Sequence, residues 1–203
     1  MKSSPETRKA AFILLMIVLV EGAWVLLNLV ANPRGFLRYV GLVNGHREVA
    51  GWLLAMLVFI AYTAFACRLP SVRATLFSFS SLKLLGVAVG IAAGLCEEAV
   101  FRKLLMDSLA RREFGVFAQV LASALAFGLA HGIWGTFRGS VVAAIGATVA
   151  TGMLGLALAL VYIASHRLLA PCVLSHFLID ALAEPGLVLA AVRGEMGRGK
   201  PRQ

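Results

Sequence analysis

Runs of about 20 apolar residues, the length that spans a bilayer core, follow one another along most of this chain, at 10–31, 49–67, 84–110, 114–133, 139–164 and 168–192. Backbone in hydrocarbon must satisfy its own hydrogen bonds, so only helices and closed barrels cross a membrane. The strict alternation of barrel strands is absent here. Composition agrees: 60% of residues are hydrophobic and 14% charged, against about 25% charged in a soluble domain. The expectation is an all-α fold, a polytopic transmembrane helix bundle of about six spans. The first run is longer than the 7–15-residue core of a secretory signal, so it reads as a retained helix. Residues 32–48 read as a loop broken by Pro33, Gly35 and Gly45. Residues 68–83, with Pro70, Arg73 and a serine-rich patch, read as a short interfacial helix. The Gly/Ala-rich run at 139–164 suits close helix packing, and Pro185-Gly186 predicts a kink. No internal repeat is visible. The chain divides into a two-span region with an interfacial segment at 1–83, a four-helix core at 84–192 and a polar tail at 193–203.

The net charge is +9. The basic residues are scattered between spans and form no stripe, which argues against nucleic acid and for cytoplasmic loops rich in Lys and Arg. With six spans and an internal N-terminus, the inner segments hold eleven Lys and Arg and the outer loops six. That bias predicts cytoplasmic N- and C-termini. Cys67, Cys96 and Cys172 show no disulfide or zinc spacing and read as small buried residues. Trp24, Trp52 and Trp134 read as packing or interface residues, and His166 and Arg167 as interfacial.

The third run contains GLCEEAVFRKLL at 94–105. A charge at the bilayer centre costs at least about 2.5–3.5 kcal/mol, and intramembrane ionisable residues are functional candidates. Glu97 stands at the middle of that run. Glu97 and Glu98 diverge by about 100° on a helix. Glu98 and Arg102 stand at i and i+4 with the glutamate N-terminal, the favoured order for an ion pair; a substrate clamp or a contact to Glu97 is the other role open to Arg102. Glu97 is left without a local partner. The fourth run offers Phe127 and His131 at i and i+4, and the sixth offers His176 and Asp180 at the same spacing. Glu21 is a further acidic residue inside the first run, read as part of a gate or an ion pair.

Three chemistries fit Glu97, His131, His176 and Asp180. One is a water activated by a carboxylate and an imidazole, with a second imidazole on the oxyanion. Another is a His/His/carboxylate metal site, although the H-E-x-x-H pattern is missing. The third is a proton relay in a transporter. Serine catalysis is disfavoured, because Ser175 diverges from His176 and Ser123 lies two turns from His131.

The spacing resembles a known family. EEAVFR is similar to the E-E-x-x-x-R motif, FGLAH to F-x-x-x-H and HFLID to H-x-x-x-N/D of the CAAX prenyl protease and bacteriocin-processing (Abi) family of intramembrane endopeptidases. The three motifs occur in the family's order over about 84–182. The resemblance implies a glutamic-type protease that needs no metal or other cofactor. It implies a catalytic core of four helices in which Glu97 activates water with help from His131, His176 and Asp180 stabilise the oxyanion, and Glu98, Arg102 and Phe127 support them. Its implied partners are the bilayer and a membrane-associated or lipid-anchored protein or peptide, such as a C-terminal membrane anchor, in a bacterial inner membrane. Eukaryotic members carry Asn where this chain has Asp180, and an ionised aspartate cannot donate to an oxyanion. A non-proteolytic immunity or scaffold protein on the same fold and a proton-coupled transporter are the alternatives.

Overall fold

A computed structural model describes residues 4–43, 49–133 and 141–196; Gly45, Arg47, Trp134, Arg138, Arg198, Lys200 and Arg202 lie outside them. Two of the long helices start at a serine cap. Ser4 accepts from the Thr7 amide and Pro5 opens α1, Pro5–Ala31, a proline placement that costs no hydrogen bond. The Ser80 hydroxyl accepts from the Lys83 amide at 3.3 Å and opens α5, Ser81–Glu98.

Residues 32–48, expected to be a loop, instead contain a short helix α2, Pro33–Tyr39. Pro33 stands at its first turn, and the Asn32 side chain accepts from the Gly35 amide at 2.9 Å. The proline that read as a breaker is a helix starter. Then come α3, Val49–Ala66, and α4, Pro70–Thr75, the short helix expected before the third span.

The third span is not a uniform α-helix. After Glu98 the chain widens into a π-helical segment, Ala99–Met106, and tightens again in α6, Asp107–Arg111. α7, Val116–His131, has 16 residues and is about 24 Å long at 1.5 Å per residue. α8 runs Val141–Ala164, α9 Ala170–Leu182 and α10 Glu184–Arg193. α9 and α10 meet at a 51° bend, immediately before the predicted Pro185-Gly186 kink.

All described secondary structure is helical. Among the described residues four helical stretches are long and apolar enough to cross a membrane: Pro5–Ala31, Val49–Ala66, Ser81–Arg111 and Val141–Ala164. The bent α9–α10 pair makes a fifth if it counts as one span. The fourth expected span, 114–133, corresponds to α7, which is shorter than the roughly 30 Å of a hydrocarbon core.

Small residues set the helix spacing. Gly86, Gly90 and Gly94 form one stripe on α5, facing α9 and the start of α10. A Cβ on Gly90 would lie 2.7 Å from the Phe177 carbonyl oxygen, so α5 and α9 touch backbone to backbone, as small-xxx-small interfaces do. α7 and α8 meet in the same way: a Cβ on Gly128 would lie 2.5 Å from the Thr148 carbonyl oxygen. Close packing was expected of 139–164; the α5 stripe was not read. Trp24 packs edge-on against Phe36. Arg167, expected to be merely interfacial, anchors one end of the bundle. It donates to Asp107 at 2.7 Å and to Gln119 at 2.6 Å, and the Tyr162 hydroxyl donates to the same aspartate.

Candidate active site

The α5–α9 contact brings the first and third motifs face to face. Glu98, the last residue of α5, accepts from His176 Nδ1 at 2.7 Å. Its other oxygen lies 3.1 Å from Arg102 Nε. That approach is an ion pair rather than an aligned hydrogen bond, since neither atom finds a hydrogen-bond partner. Arg102 also donates to the Gly155 carbonyl at 3.2 Å, and its guanidinium lies 4.7 Å from the Phe127 ring centroid. Glu98 and Arg102 are both 0% exposed. This is the predicted i, i+4 pair, with a cross-helix partner that the spacing did not announce. Full burial leaves Arg102 no route to a substrate.

Phe127 ties the motifs together. Its ring lies 4.5 Å from that of His131 and 5.7 Å from that of His176, centroid to centroid. The Phe127 carbonyl oxygen is 2.8 Å from His131 Nδ1. Both histidines therefore have Nδ1 against an acceptor, which places a hydrogen there. A neutral imidazole then carries its lone pair on Nε2.

Both Nε2 atoms point to one place. His131 Nε2 and His176 Nε2 each lie 3.8 Å from the same oxygen of Glu97, Oε2. That is too long for a hydrogen bond, and this oxygen has no hydrogen-bond partner. Asp180 Oδ2 lies 3.5 Å from His176 Nε2. The structure thus gathers Glu97, His131, His176 and Asp180 around one point, with Glu98, Arg102 and Phe127 behind them. His131 reaches it as the last residue of α7 and not from the middle of a span.

Two cavities flank this point. One, of about 360 Å³, is lined by apolar residues of α3 and α8, with Arg68 at its rim. The other, of about 400 Å³, lies between α1 and α5 and is lined by Phe12, Met16, Glu21, Val89, Ala93 and Glu97. His131, His176, Asp180 and Glu184 line both. Glu184 was not read from the sequence. Its signal was a second acidic residue one turn beyond Asp180 in the last apolar run, obscured by the adjacent Pro185-Gly186.

The remaining nucleophile candidates are disposed of by geometry. Ser123 donates to the Phe101 carbonyl at 3.1 Å. Cys67, Cys96 and Cys172 are free thiols, and Cys172 is buried against the Leu158 carbonyl. Among the described residues no group of three or more His, Cys, Asp or Glu is arranged to hold a metal ion.

Helices of membrane-spanning length around a buried acid–imidazole cluster define an integral membrane protein of the helical class. A family model described as type II CAAX prenyl endopeptidase, Rce1-like, matches residues 77–182. The chain belongs to this family and is a CAAX-type intramembrane endopeptidase, acting on membrane-associated protein. No curated protein and no solved structure matches it.

Proposed function

We propose that the protein hydrolyses a peptide bond of a membrane-associated or lipid-anchored protein or peptide by a glutamic-type mechanism, with a water activated by Glu97 and no metal in the reaction. The observation that carries this reading is the convergence of two imidazole Nε2 atoms on one unpartnered carboxylate oxygen, each at 3.8 Å. A water on that oxygen is within reach of the bare His131 Nε2, which orients it by accepting its second hydrogen. Glu97 takes the first as the water oxygen attacks the scissile carbonyl carbon. General-base help of this kind contributes typically about 10²–10⁴-fold.

His176 has a different task. Its Nδ1 hydrogen is already given to Glu98, so Nε2 can donate to an oxyanion only from an imidazolium. Glu97, Glu98 and Asp180 supply the negative charge such a cation needs. Asp180 then acts by holding His176 charged and oriented rather than by donating itself. In this role the departure from asparagine does no harm. Collapse of the tetrahedral intermediate breaks the C–N bond, and the proton taken from water passes to the leaving nitrogen.

The apolar cavity beside α3 and α8 suits the substrate, and the cavity between α1 and α5 suits the entry of water to Glu97. The residues divide functionally at 84–192, with 1–83 closing one side and 193–203 as a tail. The bacterial inner membrane, with both termini cytoplasmic, is the setting that the basic loops favour. Two termini on one side need an even number of crossings, so if the α9–α10 pair is a span α7 counts as one too, a locally thinned bilayer accommodating its length.

The test is a single turnover in oxygen-18 water on a short CAAX-type peptide bearing a prenylated cysteine. Direct attack by water puts the label in the new peptide carboxyl and none in Glu97, with no loss of rate in strong chelators. Label in the Glu97 carboxyl would show a covalent acyl intermediate, and chelator sensitivity would show a metal; either contradicts the mechanism.

A further inference from the structure

α1 lies outside the matched residues 77–182, yet it contributes to the site. Glu21 projects from the middle of this helix into the cavity that Glu97 also lines. The two carboxyl groups are within side-chain hydrogen-bonding contact of each other. Oε2 of Glu21 and Oε2 of Glu97 are both buried and receive a hydrogen bond from no donor. Two ionised carboxylates cannot sit in contact in a poorly solvated site. A hydrogen bond between them needs a proton on one. Among the described residues no lysine or arginine lines this cavity. The other titratable groups facing Glu21 are Cys96 on α5, His176 and Asp180 on α9 and Glu184 on α10.

We infer that Glu21 and Glu97 form a carboxyl dyad that shares one proton, making Glu21 a positioning and proton-holding residue of the endopeptidase. The inference rests on the reading of Glu97 as the water-activating group, and it adds a second carboxyl to that group. In the resting site the dyad carries one proton and one negative charge. The shared proton fixes the orientation of the Glu97 carboxylate and leaves one lone pair for water. When the water oxygen bonds to the scissile carbon, its proton goes to Glu97 and both members become protonated. When the C–N bond breaks, one of these protons passes to the departing nitrogen. The products are a carboxylic acid and an amine, and the dyad returns to one proton.

This is the logic by which paired carboxylates titrate as a unit rather than as two residues. Here the pair is assembled from α1 and α5 and not from two equivalent loops. It gives the first span a chemical reason to pack on the core. It also explains an acidic residue in the middle of the long apolar stretch of α1.

The test does not need a substrate. Infrared spectra of the purified full-length protein in phosphatidylcholine vesicles, with glutamate carbon-13 labelled, separate glutamic from aspartic carboxyl stretches. The wild type is expected to show a protonated glutamic C=O stretch that disappears in Glu21→Gln and shifts or disappears in Glu97→Gln. Glu21→Asp, which keeps the carboxyl and guards against a folding defect, is expected to move that proton's band into the unlabelled aspartic region. Bands that respond to one variant and ignore the other would show two independent carboxyls and overturn the dyad. The kinetic arm compares Glu21→Gln with Glu21→Asp on the prenylated peptide. Glu21→Gln is expected to lose about 100-fold in kcat, within the range for one proton-transfer group, with KM unchanged and partial recovery in Glu21→Asp. Equal rates for wild type and Glu21→Gln would overturn its part in the reaction. Cleavage that survives Glu97→Gln would instead remove the Glu97 reading, while the spectra still decide whether the proton is shared.

Discussion

Glu97 and Glu98 are adjacent in the chain and opposite in circumstance. Glu98 is 0% exposed and engaged on both oxygens, by His176 at 2.7 Å and Arg102 at 3.1 Å. The Glu97 side chain is 18% exposed, and two imidazole nitrogens stop 3.8 Å short of an oxygen that has no partner. A saturated carboxylate orients what it touches; an unsaturated one is available to a reactant. A single residue step, about 100° around the helix, thus separates a structural anion from a reactive one. The pair Glu98–Arg102 locks the His176 ring much as a buried carboxylate fixes the histidine of a catalytic triad. Glu97 is kept from a comparable lock by the gap between α7 and α9.

The comparison breaks most visibly if charge is removed from one partner of the saturated side. Arg102→Met strands Glu98 in a fully buried position. Leaving an unpaired buried charge costs about 3–5 kcal/mol, so a large fall in thermal midpoint or loss of monodisperse protein in detergent is expected. Glu98→Gln combined with Arg102→Met should recover most of that stability and still lack activity, because His176 loses its anion. An active double variant would show that the Glu98–His176 bond is dispensable.

Glu97→Gln is the converse: activity falls by about 10²–10⁴-fold, while the thermal midpoint stays close to that of the wild type, since the amide can still hydrogen-bond the Glu21 carboxyl and no buried charge loses its counter-ion. A midpoint that drops as far as that of Arg102→Met would erase the distinction between the two glutamates.

A smaller effect sharpens the geometry. Gly90→Ala forces the Phe177 carbonyl away from a new Cβ that would sit at 2.7 Å, and overpacking typically costs about 1–3 kcal/mol. The helices it parts are those that hold Glu98 against His176, so cleavage should fall together with stability. Gly146 on α8 has nothing within 4 Å of such a Cβ. Gly146→Ala is therefore expected to be neutral or to stabilise by up to about 1 kcal/mol. Equal thermal shifts from the two substitutions would deny that the α5–α9 approach is special.

The sequence told part of this story because charge in an apolar run is conspicuous. Glu97, Glu98, Arg102, His131, His176 and Asp180 all stood out, and helical spacing alone paired Glu98 with Arg102. Helical spacing speaks only within one helix. The bond from Glu98 to His176 depends on the register of α5 against α9, which Gly86, Gly90 and Gly94 set by backbone contact. The π-helical segment after Glu98 leaves no mark in an apolar pattern. Hydropathy made 114–133 look like a full span, whereas the regular helix ends at His131. Pro33 misled in the other direction, since a proline opens a helix as readily as it breaks one. Glu21 was visible, and its partner was not, because nothing in the chain tells which helix α1 will lie against.

The account rests on Glu97 being the reactive member of the acidic pair. The most direct measurement is a terminal-peptide survey of the host membrane proteome. It compares a deletion strain complemented with wild type against one complemented with Glu97→Gln at equal expression. New protein termini that appear with wild type and vanish with Glu97→Gln are the predicted result, and they would name the substrate. The same termini in both strains would contradict the assignment of Glu97 as the group that activates water.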